Sequence, residues 1–294
     1  MPRAQSSCTT QKPLHLHSVA MLLTESIFAS FPYATHASSL HIRQDKPLFF
    51  LLAGDSTTAV EGGWGDGFLD TTLKAPASGL NHGHSGATTV SFRSGGDWNE
   101  VLEQLESHVE EFQVFVTIQF GHNDQKPAAN ISLDQYGSNL ATFASEVVDA
   151  GGEPILLTPL ARRSFDDSSD PPKVIENLAN ERLKTIDVAE ENGVEWIDLN
   201  WASQEYCNKI GPEASWGYDL AEGDHTHLND YGSVVFGRLV SDLLLEKYGE
   251  KFEEWTVPNA TLSARRLLTS TSVHGSVCVD VKGVSFPFAC PEWT

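Results

Sequence analysis

Four short, continuously apolar runs recur along the chain: Pro47 to Ala53 (PLFFLLA), Val114 to Phe120 (VFVTIQF), Pro154 to Leu160 (PILLTPL) and Val194 to Leu199 (VEWIDL). A run of this length without polar alternation fits a strand covered on both faces, the condition of a parallel sheet. Parallel strands need crossovers, and the intervening segments carry helical period. Val101 to Phe112 places Val101, Leu102, Leu105, Val109 and Phe112 on one stripe, with acids filling the other face. Ser132-x-x-Gln135 opens a second helix, which carries Leu140, Phe143 and Val147 and stops at Gly151-Gly152. A third spans roughly Val174 to Glu191, and a last runs from about Tyr231 to Tyr248, with Val235, Leu239, Leu243 and Leu244 inward. Strands alternating with helices predict an α/β chain of three layers, α/β/α, around a parallel sheet. Residues 163–172 (RSFDDSSDPP) read as a polar loop, and residues past about 255 as an irregular tail. No internal repeat is present in the sequence.

This organisation places one catalytic-size domain at 46–250 within 294 residues, with a possible signal peptide or disordered leader at 1–37 and a tail at 251–294 packed on the domain. Asp and Glu total 40 against 19 Lys and Arg, for a formal charge of -21. Such a surface repels nucleic acid and anionic lipid, and disfavours a densely anionic polymer unless salt, protons or calcium screen it. No apolar run approaches the roughly 20 residues that span a bilayer. Residues 18–34 are mildly apolar, follow Arg3 and Lys12 and precede a small-residue site at Ala37, as in a secretory signal, although Glu25 and Pro32 interrupt the run. Secretion is the expectation. Asn130-Ile131-Ser132 and Asn259-Ala260-Thr261 would then be glycosylation sites. Cys278 and Cys290 close a short loop in a tail with little core of its own, so a disulfide is expected there, whereas Cys8 lies in the leader and Cys207 in the body.

In an open parallel sheet, chemistry sits beyond the carboxyl ends of the strands. The first run leads straight into Gly54-Asp55-Ser56-Thr57, where Ser56 is either a nucleophile or the cap of a following helix. This is not the G-x-S-x-G elbow. Val114 to Phe120 ends in Gly121-His122-Asn123-Asp124, and Asn123 can aim its amide at an oxyanion or satisfy a turn. Before the last helix stands Asp224-His225-Thr226-His227, in which a carboxylate can hold the imidazole three residues on at Nδ1 and leave Nε2 free as a base. The segment Asn81 to Thr89 (NHGHSGATT) is a turn or brings a backbone N–H close to a substrate, with Gly86 the donor.

Each motif has a bland alternative, but their order, Ser, Gly, Asn, Asp-x-x-His, at one sheet edge does not. On these residues and on Gly63-Trp64-Gly65, over about Leu48 to Leu245, the chain resembles the SGNH (GDSL-like) hydrolase superfamily and, within it, the fungal rhamnogalacturonan acetylesterases. The resemblance implies a flavodoxin-like sheet of about five strands. It also implies a catalytic triad of Ser56, Asp224 and His227, and an oxyanion hole of the Ser56 N–H, the Gly86 N–H and the Asn123 amide. The substrate would be an acetylated polysaccharide, in all likeness to the family a rhamnogalacturonan, hydrolysed by a monomer without cofactor or metal. The family's glycine is usually followed by Arg-Ser, whereas Ala87-Thr88 follows Gly86, which affects sugar contacts rather than the triad.

Two other classes compete. His82, His84, His225, His227, Asp124 and Asp224 are numerous enough to ligate zinc, but form neither a His-Glu-x-x-His helix nor a cysteine quartet. A non-catalytic carbohydrate-binding protein on the same scaffold is the second, with Trp64, Trp98, Trp201 and Trp216 as stacking platforms or core. A lipase or thioesterase of the same superfamily would favour a long apolar lid, and the sequence contains none. His225 is expected to pack a loop, and His122 to hydrogen-bond beside the site.

Overall fold

The computed structural model describes residues 46–267. The leader, Cys8 and the Cys278–Cys290 pair lie outside the described residues. The strands are β1 (Leu48–Gly54), β2 (Ser78–Asn81), β3 (Gln113–Gln119), β4 (Glu153–Leu157), β5 (Phe165–Asp166), β6 (Lys173–Val174) and β7 (Glu195–Ile197). Five of them form one parallel sheet in the order β2-β1-β3-β4-β7, and β5 and β6 make a small antiparallel pair. The four apolar runs are four of those five strands. The fifth, β2, is an edge strand of sequence SGLN whose residues are half-buried or exposed, and it pairs in parallel with β1 from Phe49–Ser78 to Leu52–Asn81.

The principal helices are α1 (Gly65–Thr72), α2 (Thr89–Ser94), α3 (Asp97–His108), α4 (Leu133–Asp149), α5 (Ala179–Asn192), α6 (Leu199–Trp216) and α7 (Asp230–Tyr248). Side chains of β1 alternate between two cores, as a pleated strand requires. Leu48, Phe50 and Leu52 join Phe68 of α1, Tyr206 of α6 and Phe236 of α7, whereas Phe49, Leu51 and Ala53 join Leu105 of α3, Phe143 of α4 and Val188 of α5. A helical layer thus covers each face, giving the three-layer fold.

Several boundaries shift from expectation. The first helix starts at Asp97 rather than Val101, because Gly96 at φ +99° turns the chain into it and Trp98 is buried within its first turn. Ser132 caps α4 by accepting the Gln135 N–H. Residues 174–178 are not helical: Val174 belongs to β6, and its N–H donates to Asn208 Oδ1. After α8 (Glu250–Glu253), the chain past residue 255 is not irregular throughout, since it forms α9 (Ala260–Leu267). Phe252 is in the core edge-on to Phe50, and the Val257 N–H donates to the Thr72 carbonyl.

One contact governs where α7, and the loop before it, can sit. A Cβ on Gly67 would lie 2.0 Å from the Ser233 carbonyl, and one on Gly237 would lie 2.3 Å from the Phe68 nitrogen. Only glycine at both crossings lets α1 and α7 meet backbone to backbone. The N-terminus of α7 is thereby fixed against the segment that follows β1.

Candidate active site

The chain leaves β1 toward β2 on one side and later returns to β3 on the other, so β1 and β3 flank the reversal of strand order. Ser56 follows the carboxyl end of β1, and Gly121 to Asp124 follow that of β3. Asp55, not Ser56, caps the turn: its Oδ1 accepts the Thr57 N–H at 2.9 Å and the Thr57 hydroxyl at 2.8 Å, and its carbonyl accepts the N–H groups of Thr58 and Ala59. Beneath, Trp64 Nε1 donates to Gln119 Oε1 at 2.8 Å and Gln119 Nε2 donates to the Thr57 hydroxyl at 2.5 Å, a fully buried chain that pins the turn to β3. The Ser56 hydroxyl is left free of structural duty.

That hydroxyl stands 2.8 Å from His227 Nε2. His227 Nδ1 lies 2.8 Å from Asp224 Oδ2, and Asp224 Oδ1 accepts the backbone N–H of His227 at 3.1 Å and of Thr226 at 3.2 Å. With Nδ1 donating to the carboxylate, Nε2 is the acceptor facing Ser56. Burial pushes the Asp224 carboxyl up, but the hydrogen bonds from His227 and Thr226 outweigh it and hold the group below the ordinary carboxylate value. Ser56 is 8% exposed, and the His227 and Asp224 side chains 33% and 29%, so the pair faces solvent from one side.

Gly86 occupies the third position of a turn closed by the Ala87 N–H on the His84 carbonyl, at φ +83° with open space around it. The turn is tied at both ends to the strand edges: the His84 N–H donates to the Gly54 carbonyl at 2.9 Å, and Asn123 Nδ2 donates to the Ala87 carbonyl at 2.9 Å. Asp124 completes the tie by accepting both the N–H and the hydroxyl of Thr89, at 2.9 and 2.6 Å. Burial raises the Asp124 carboxyl above its usual range despite those bonds. Among the described residues, the backbone N–H groups of Ser56 and Gly86 donate to no protein acceptor, and one of the two Asn123 Nδ2 protons is uncommitted.

Other expectations divide. Trp64 and Trp98 are fully buried and cannot stack on a sugar, whereas Trp201 is 50% exposed. His225 packs its loop, with Nδ1 2.7 Å from Asp219 Oδ2 and its ring stacked on Trp216. His122 is buried beside the turn that carries Ser56, with Nδ1 3.5 Å from Asp55 Oδ2. The histidines and acids of the zinc alternative are dispersed, and no group of three or more such side chains is arranged to hold a metal ion among the described residues. Arg163 was hidden in a stretch that reads as polar loop. It is fully buried under the Asp224–His227 segment and donates to the His227 carbonyl at 2.6 Å. No local sequence signal distinguishes it, because its partners lie more than fifty residues away.

Residues 52–234 match the GDSL-like lipase/acylhydrolase family model. The chain is 30% identical to the rhamnogalacturonan acetylesterase RhgT of Bacillus subtilis over 217 residues, covering 67% of this chain and 89% of that protein. It is 26% identical to the probable rhamnogalacturonan acetylesterase YesY of the same organism, over 65% of this chain and 89% of YesY. Among solved structures, the acetylxylan esterase Axe2 of Geobacillus stearothermophilus shares the fold at a TM-score of 0.51 and 19% identity, covering 71% of this chain and 98% of Axe2. YXIM of Bacillus subtilis does so at a TM-score of 0.58 and 24% identity, over 70% of this chain and 58% of the other. The chain is an ester-hydrolysing member of the GDSL-like lipase/acylhydrolase family.

Proposed function

We propose that this enzyme removes O-acetyl groups from an acetylated polysaccharide, rhamnogalacturonan in the first place, through an acyl-enzyme on Ser56. The observation that carries the reading is the line Asp224 Oδ2, His227 Nδ1, His227 Nε2, Ser56 Oγ, with 2.8 Å at both hydrogen-bonded steps. His227 takes the Ser56 proton as Oγ attacks the acetyl carbonyl carbon, and Asp224 stabilises the imidazolium. The oxyanion is received by the uncommitted N–H groups of Ser56 and Gly86 and the Asn123 amide. Its collapse expels the sugar oxygen, which takes the proton from His227. Water deprotonated by the same imidazole then attacks the acyl carbon, and acetate leaves as Ser56 recovers its proton. No cofactor enters.

The surroundings favour a sugar over a long acyl chain. Two clefts flank the loop after Ser56, of about 310 Å³ and 270 Å³. The first is lined by Asn81, His82, His84, Ser85, Asp97 and Glu100, and the second includes Asp66, Asp70, Asn229 and Asp230, groups suited to sugar hydroxyls. The similarity to RhgT supports the choice of polymer. We also propose export: Asn130 and Asn259, the two sequon asparagines, are both exposed.

Acetate release from acetylated pectin, xylan and chitin derivatives tests the reading. The wild type should release acetate fastest from the rhamnogalacturonan of pectin, and Ser56→Ala should release none. Equal release by both from every polymer would refute it.

A further inference from the structure

Asp224 and His227 sit on the loop that joins α6 to α7, and a loop by itself does not hold an acid and a base to the fraction of an ångström that proton transfer needs. Its two ends are closed by the Asp219–Leu228 bridge and by the Leu220 N–H on the His227 carbonyl. Between those ends the backbone carbonyls turn inward, onto the Arg163 guanidinium. Arg163 Nη2 donates to the His227 carbonyl at 2.6 Å and to the Asp224 carbonyl at 3.4 Å, and Nη1 donates to the Thr226 carbonyl at 3.4 Å. Nε donates to Asp219 Oδ1 at 2.8 Å, and the Arg163 backbone N–H donates to the His225 carbonyl at 2.7 Å.

We propose that Arg163 is a positioning residue for the acid–base pair: one buried cation gathers the carbonyls of Asp224, Thr226 and His227 and so fixes the approach of the imidazole to Ser56. The inference rests on the assignment of Ser56, His227 and Asp224 as the reacting set. A charge this deep would be costly alone, and here it is matched by the nearly buried Asp219 carboxylate, 5% exposed, and by the carbonyl dipoles. Asp219 in turn holds His225 through its other oxygen, and Trp216 locks the far side by donating Nε1 to the Arg163 carbonyl while stacking on His225. Arginine suits the task because its planar fork presents donors in several directions at once, and a lysine ammonium at the end of a flexible stem cannot reach the same set.

The test compares Arg163→Lys with Arg238→Lys. Arg238 is also buried, but it donates to the carbonyls of Thr71 and Val257, away from the loop, and controls for the general cost of altering a buried arginine. Turnover of a soluble acetyl ester should fall by about 10²-fold in kcat for Arg163→Lys with KM changed by less than about threefold, the pattern of a misplaced reacting group. Arg238→Lys should keep kcat within about threefold. Proton NMR gives a readout that needs no turnover: the low-field signal of His227 Nδ1–H bonded to Asp224 should be lost or displaced in Arg163→Lys and preserved in Arg238→Lys. Retention of wild-type kcat, or of that signal unmoved, in a folded Arg163→Lys would overturn the proposal. If wild type hydrolyses no ester but the signal responds as stated, the functional assignment fails and the positioning role stands. Should Arg163→Lys not fold, the isosteric Asp219→Asn removes the anchoring charge instead. An unchanged kcat and NMR signal there would equally overturn it.

Discussion

The ring of His227 closes on Ser56 across 171 residues of sequence, with Nε2 2.8 Å from Oγ. Ser56 follows the first strand, β1, and His227 precedes α7. The close crossing of α1 and α7 at Gly67 and Gly237 is what brings the two ends of the domain together. The Ser56–His227 geometry is therefore a property of the helix packing as much as of the loops.

The Asp224 carboxylate orients the imidazole through Nδ1. Asp224→Asn should keep the fold and lower kcat by about 10³- to 10⁴-fold, because the amide disfavours the tautomer that leaves Nε2 free. Its carboxyl is held below the usual range, so it remains ionised until the pH falls beneath that range. The wild-type pH–kcat/KM profile should accordingly show no inflection from this carboxylate in the ordinary carboxylate range. Steady-state kinetics across pH on both proteins checks the point.

Asn123 commits one amide proton to the Ala87 carbonyl and accepts from Lys126 through Oδ1. Asn123→Ala should reduce kcat by about 10²- to 10³-fold with little change in KM, the signature of a donor that acts on the transition state. Loss in KM alone would assign Asn123 to substrate binding.

At Gly86 the cost of a side chain is conformational rather than steric, since φ is +83° and a Cβ would meet nothing. Gly86→Ala should lose roughly 1–2 kcal/mol of stability by thermal or urea unfolding. The accompanying fall in activity should appear in kcat, through the displaced N–H.

Two substitutions at Asp124 separate its charge from its shape. Asparagine can still accept from Thr89 N–H and hydroxyl while removing a carboxylate whose folded value lies above its unfolded one. A group raised in this way favours the fold below its unfolded value and ceases to do so as the pH rises through the folded one. Asp124→Asn should therefore raise Tm at neutral pH, and the gain should shrink as the pH falls into the carboxylate range. Asp124→Ala leaves two buried donors unpaired, should cost about 1–3 kcal/mol, and should loosen the Gly86 turn.

The central strands were legible because β1, β3 and β4 are buried on both faces, which demands uninterrupted apolar residues. β2 was not, because an edge strand needs only backbone pairing, and SGLN carries no periodic signal. The helix α1 was hidden by Gly65 and Gly67, residues that oppose helix in isolation but are required by contact with neighbouring backbone. In α6, Gly211 at φ +80° and Pro212 break the helical pattern at a real kink. Ser56, Asn123 and the Asp224–His227 pair could be read because each stands in a short motif beside a recognisable strand or helix. Arg163, Gln119 and Asp219 could not, since what makes them part of the site is burial and partners distant in sequence.

Covalent capture of the nucleophile tests the account most directly. The wild-type enzyme is treated with a serine-reactive organophosphonate, digested, and mapped by mass spectrometry while residual esterase activity is followed. One adduct per chain on the peptide bearing Ser56, accumulating in step with loss of activity and absent from Ser56→Ala, is the expected result. Inactivation with the adduct on another residue, or full labelling of Ser56 with activity retained, would contradict it.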